Sequence, residues 1–177
     1  MKKKVRSVYN IEDFKTPSGL WGTTYTVTTD TEYIQYWSRS FRLWVKINGR
    51  CSVGGYICNE RPNYAGCLNL FKDFQEFACW CQTQEGYRNK DSNGKYWSID
   101  KDIIGSDGNY SPENCCFIPN YVNQIFTSKW NGKVTERKKA AVSGAIEDIT
   151  IPLNIREAIL NKWERITGDS SLRGMVK

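Results

Sequence analysis

The sequence predicts an α+β protein, and three observations carry that expectation. Short runs of β-forming residues at 21–28, 97–99 and 115–118 are bounded by turn formers. Several longer stretches instead repeat their apolar residues at three and four, the helical period. Aromatic residues make up 14% of the 177 residues, seven of them Trp, enough large apolar side chains for a substantial core. No internal repeat, P-loop, GxSxG or dinucleotide-binding glycine pattern is visible, so the common nucleotide and hydrolase signatures are absent.

Residues 1–20 read as an arm whose Lys2, Lys3, Lys4 and Arg6 are placed to meet phosphates or solvent. Thr29 and Glu32 have the spacing of a capping box. They open a helix expected over 30–48, with Ile34, Trp37, Phe41, Trp44 and Val45 on its buried stripe. Arg39, Arg42 and Lys46 fall on the opposite face, where a nucleic-acid backbone or water would meet them. Residues 49–66 are a loop carrying Arg50 and Arg61. A second helix, expected over 68–83, buries Leu70, Phe71, Phe74, Phe77, Ala78 and Cys81. Residues 84–95 are a polar connection.

The next thirty residues organise the chain. A strand ending in Asp100, Lys101 and Asp102 is followed by a Gly-, Ser-, Asp- and Asn-rich loop over 105–109. The run 115–118 is a second strand, Pro119 closes it, and Asn120 is positioned to cap a helix bearing Tyr121, Val122, Ile125 and Phe126. Strand, loop, strand and helix, with Asn114 before the second strand and Asn123 in the helix, bring a carboxylate and an amide oxygen toward one point. Such oxygen donors suit a hard divalent cation.

The pattern IDKDI, YSPENCCFIP and VNQIF, with Asn114 and Asn123 nine residues apart, resembles the HNH (His-Me finger, ββα-metal) endonuclease domain of bacteriophage homing-type and AP2-associated enzymes. Upstream, Trp37, Trp44, Arg50, Cys51, Pro62, Tyr64, Gly66, Cys67 and the run FQEFACWC are similar to the segment preceding that finger, so the resemblance covers roughly residues 35–127. It implies a Mg²⁺- or Mn²⁺-dependent DNA endonuclease acting in the cytoplasm of an infected bacterial host. Asp100 and Asn123 would be the ion's ligands, Asn114 the brace of the loop, and Lys101 the occupant of the catalytic-base position. A solvent-facing site follows from that role.

This chain departs from the family at its defining residue, because it contains no histidine. A lysine base working near neutral pH would need a depression of roughly three units from about 10.4. Asp100 and Asp102 favour its charged form instead. The alternative is therefore a ββα scaffold without chemistry, serving as a DNA-binding or host-directed interaction module with a host protein as partner.

Cysteine usage and charge bound the rest. Seven Cys without a C-x₂-C knuckle or any His argue for reduced, buried thiols over structural zinc. No apolar run reaches membrane-spanning length. A net charge of +6 permits an anionic partner, and Lys129, Lys133, Arg137, Lys138 and Lys139 around Trp130 are the densest basic patch. Residues 128–177 are this basic linker followed by a C-terminal helix. Asn154 and Glu157 cap that helix, Ile155, Ile159, Trp163 and Ile166 line it, and Gly168 ends it. The expected organisation is a scaffold over 1–95, a finger over 96–127, and this tail, together forming one compact domain.

Overall fold

β-Branched and aromatic residues dominate the first extended segments, and they pair into a three-stranded sheet. The computed structural model describes residues 3–52, 64–105, 107–127 and 134–176. The architecture is α+β, and the chain divides into two compact units, Met1–Thr83 and Gln84–Lys177. The division falls at the start of the polar connection over 84–95.

In the first unit, β1 (Lys4–Ile11), β2 (Thr24–Thr28) and β3 (Glu32–Ser38) form a sheet in the order β1-β3-β2. β3 runs parallel to β1, pairing Lys4 with Glu32, and antiparallel to β2, pairing Thr28 with Tyr33. Lys4–Ile11 of the expected basic arm is thus an edge strand, and Lys2 lies outside the described residues. The helix expected over 30–48 is a strand followed by a shorter helix, α1 (Arg39–Cys51). Thr29 and Glu32 do bond to each other, but in the β2–β3 turn: Glu32 N donates to Thr29 Oγ1 at 2.9 Å. Tyr33, Ile34, Tyr36 and Trp37 prefer the pleated environment that the neighbouring strands supply.

α1 begins beside a remote carboxylate. Asp13 Oδ1 accepts from Ser40 N at 2.9 Å and from Ser40 Oγ at 2.7 Å, satisfying an orphan amide at the positive end of the helix. Gln82 Nε2 donates to the other Asp13 oxygen at 2.7 Å, tying in α2 (Phe74–Thr83). α1 and α2 pack through an aromatic cluster in which Trp44 lies 5.6 Å and Phe71 5.0 Å from Phe77, centroid to centroid. Ile47 is fully buried, whereas Val45, expected on the buried stripe, and Leu70 are exposed.

In the second unit, β4 (Ser98–Asp100) and β5 (Cys116–Ile118) are antiparallel, pairing Ser98 with Ile118 and Asp100 with Cys116. α3 (Asn120–Thr127) follows directly and packs on β4. Asn120 does not cap its helix through its side chain. Its oxygen accepts from Ser98 Oγ and its amide donates to Tyr96 O at 3.2 Å, so it fastens the helix start to the approach to β4.

α4 (Glu136–Glu147) and α5 (Leu153–Thr167) pack on each other, and α4 on α3. α4 lies where the sequence suggested a basic linker. Thr135 caps it, accepting from Lys138 N at 3.3 Å, and Val142, Ala145 and Ile146 are buried. α5 starts at Leu153 after Pro152, without the side-chain cap expected from Asn154. Ile155, Ile159 and Trp163 are buried as expected, but Ile166 is 37% exposed. Gly168, at φ 71°, closes the helix in the left-handed conformation.

Gly86 fixes a turn beside β5. Its φ is +81°, and a Cβ there would lie 2.5 Å from the Trp97 ring and 3.1 Å from Phe117 O. Gly86→Ala is expected to cost about 2 kcal/mol from backbone strain and overpacking, read as a lower urea midpoint with an unchanged slope.

Candidate functional site

β4 delivers its last residue into a tight loop, and the loop is held by that residue. Asp100 Oδ1 accepts from Asp102 N and Ile103 N, both at 2.8 Å. The side chain thereby closes a turn at the strand end, as short carboxylates do. Asp100 is only 7% exposed, which corrects the expectation of a solvent-facing ligand. Burial pushes its carboxyl above the usual carboxylate range, against the opposing pull of the two amides and of Lys162.

Lys101 is also 7% exposed. Its Nζ pairs with Asp102 Oδ1 at 2.7 Å and lies 5.9 Å from the centre of the buried Tyr110 ring. Asp102 is half-exposed, so this ion pair lies at the loop surface. A second cation joins from α5, where Lys162 Nζ donates to Asp102 O at 2.7 Å and lies 5.1 Å from the Phe126 ring centre. Burial lowers the Lys162 pKa while Asp100 and Asp102 draw it back.

Asn114 braces the far side of the loop. Its Nδ2 donates to Asp107 Oδ1 at 2.6 Å and to Asn109 O at 3.4 Å, and its own N–H donates to Ser111 Oγ at 3.2 Å. Gly105 lets the loop fold close: a Cβ there would stand 2.4 Å from Lys101 O and 2.7 Å from Asn114 Cβ. On α3, Asn123 Oδ1 is buried and has no hydrogen-bond partner among the described residues. An orphaned buried acceptor costs about 1–3 kcal/mol unless something donates or coordinates to it.

The donor chemistry fits a hard ion better than a soft one. Asp100 and Asn123 offer carboxylate and amide oxygens, and Asp100 Oδ1 already accepts from two amides. Burial pushes the Cys115 thiol up to about 12 and Cys116 further, so neither offers a ready thiolate. Among the described residues no group of three His, Cys, Asp or Glu side chains is placed to hold a metal ion. Cys51 Sγ and Cys67 Sγ, free thiols in the other unit, lie 3.4 Å apart.

The residues expected to meet DNA divide between the two units. Arg39 is 5% exposed, because the strand-to-helix switch turns it inward. Arg42 lies over the Tyr9 ring at 4.3 Å, and Lys46 follows one turn later. Arg42, Lys46 and Arg50 stand at intervals of four on α1, and burial, then the two arginines, lower the Lys46 pKa. Lys129 and Lys133 lie outside the described residues. Arg137, Lys138 and Lys139 are consecutive on α4 and fan around it, about 100° apart. Lys139 is paired with Asp169 Oδ2 at 3.0 Å.

Sequence reasoning missed Lys162 and Arg165. Their only local signal was a run of polar and small residues on one face of α5, where Ala158, Asn161, Lys162 and Arg165 lie at helical spacing. Among the described residues no helix is long and apolar enough to cross a membrane. Compared with known proteins, the chain matches no family model, no curated protein and no solved structure.

Proposed function

We infer that the chain is a metal-dependent DNA endonuclease of the HNH type, acting on phosphodiester bonds at the loop that follows β4. The observation carrying this reading is the buried, unpartnered Asn123 Oδ1 on the helix packed against β4, the strand that ends in Asp100. Mg²⁺ or Mn²⁺ held by Asp100 and Asn123 would supply Lewis-acid activation of water and phosphate. Asn114 keeps the loop closed through Asp107 and Asn109. Lys101, ion-paired with Asp102, serves as a cation beside developing phosphate charge rather than as a base. The sequence resemblance makes a phage-infected bacterium the setting and DNA the substrate.

A second reading is favoured by one specific observation. Asp100 is buried and already spends one oxygen on two loop amides, the arrangement of a structural turn. On that reading the ββα element is a scaffold without chemistry, and the chain binds DNA or a host protein through its surface.

Incubation of supercoiled plasmid with the purified chain tests both. Nicked or linear product is expected with Mg²⁺ or Mn²⁺ and none with chelator. Lys101→His is expected to retain or raise the rate, because the imidazole, titrating near about pH 6.5 without any shift, would supply a general base in exchange for the lost lysine cation. DNA retention with no cleavage under any metal would leave the scaffold reading standing.

A further inference from the structure

An open cleft of about 300 Å³ lies between the loop after β4 and one face of α5. Ile103, Ile104 and Gly105 form one wall. Asn161, Lys162 and Arg165 supply the other, around the small side chain of Ala158. The cleft is at the small end of ligand sites, suited to one sugar-phosphate unit rather than a whole duplex.

Its chemistry has one sign. Two lining side chains are cationic, one is an amide, and none is a carboxylate. Arg165 is exposed on the last turn of α5 and forms no ion pair among the described residues. Lys162 uses one N–H on Asp102 O, and an ammonium has three, so two remain for a ligand. The adjacent Asp102 charge is met by Lys101 at 2.7 Å, which limits its repulsion of an anion. Arg and Lys are also complementary here, a planar fork beside a point charge, and together they fit a tetrahedral oxyanion. Ile104, 39% exposed, offers apolar surface beside them for a sugar or base.

We propose that this cleft is a phosphate subsite for a nucleic-acid backbone, gripped by the Arg165 guanidinium, the Lys162 ammonium and the Asn161 amide. It rests on the DNA-directed part of the function proposed above, but not on hydrolysis. Lys162 links the subsite to the candidate site, because the same ammonium holds the carbonyl of Asp102 in the loop. A phosphate in the cleft would therefore set the strand against the loop that carries Asp100 and Lys101.

The test uses the full chain in chelator, with labelled single-stranded and duplex oligonucleotides, and reads affinity by fluorescence anisotropy across a salt series. Arg165→Gln and Lys162→Gln are expected each to weaken binding about tenfold, the scale of a lost charged hydrogen bond. Each should also reduce the duplex salt slope by about 0.9. Asn161→Ala should weaken binding without changing the slope. Circular dichroism melts confirm that each variant is folded, and Arg165→Gln, lying on an exposed turn, carries the test if Lys162→Gln is not. Unchanged affinity and slope in folded Arg165→Gln would overturn the proposal. So would a wild-type chain that binds inorganic phosphate or a nucleoside monophosphate but not the oligonucleotides. Plasmid cleavage with unaltered binding in the variants would sink the subsite and spare the nuclease; weakened binding in the variants with no cleavage by the wild type would do the reverse.

Discussion

Asp100→Ala is expected to destabilise the second unit by about 3 kcal/mol, whereas Asp100→Asn should cost less than about 1 kcal/mol. The alanine leaves the amides of Asp102 and Ile103 without their acceptor, and Ile103 is 5% exposed, so water does not readily replace it. An asparagine keeps a carbonyl oxygen in the same place. Urea denaturation at neutral pH measures both. Equal losses in the two variants would mean that the turn does not depend on that acceptor.

The same residue predicts a pH dependence. Burial raises the Asp100 pKa above its unfolded value of about 3.9, so the folded chain holds this proton more tightly. Its contribution to stability is full below the unfolded pKa and is lost as pH rises through the folded one. Comparison with Asp100→Asn, which has no proton to lose, isolates this slope. A contribution that instead grows with pH across that window would show that the carboxylate is stabilised in its charged form.

The part of the chain that sequence reading resolved best is the part whose signals are local. Cys116, Phe117 and Ile118 lie between a turn-forming loop and Pro119, and β5 forms there with α3 immediately after. The failures lie where distant partners decide. Ile34, Trp37 and Phe41 are spaced three and four apart, yet only Phe41 is helical, because Ile34 and Trp37 pair with residues of β1 and β2. Lys4 and Arg6 looked like solvated cations, but their backbone has a parallel partner in β3, and such pairing leaves no trace in the local pattern. α4 was hidden by Gly144 and by the density of charge before it. Of the candidate site, the identities of Asp100, Lys101, Asn114 and Asn123 were legible. Their engagement was not, since the bond from Lys162 to the Asp102 carbonyl joins residues sixty positions apart.

Asn123→Leu should divide the two functional readings most cleanly. Leucine has nearly the shape of asparagine without its polar atoms, so it removes the unsatisfied oxygen while filling the same space. Stability of the ion-free chain is expected to rise by about 1 kcal/mol, because a buried acceptor without a donor costs about that much or more. In the nuclease reading the wild type gains thermal stability from millimolar Mg²⁺ or Mn²⁺, as any ligand of the native state confers. Asn123→Leu should lose that gain. Its cleavage should fall by at least about a hundredfold, since even partners outside the coordination sphere cost about 10–100-fold when changed. An equal melting shift from metal in the variant and the wild type would place the ion elsewhere. A stabilised variant, with no metal response in either protein and no cleavage, would make Asn123 an uncompensated core polar group and the ββα element a scaffold. The two measurements together are needed, because a gain in stability is expected on both readings and only the metal response separates them.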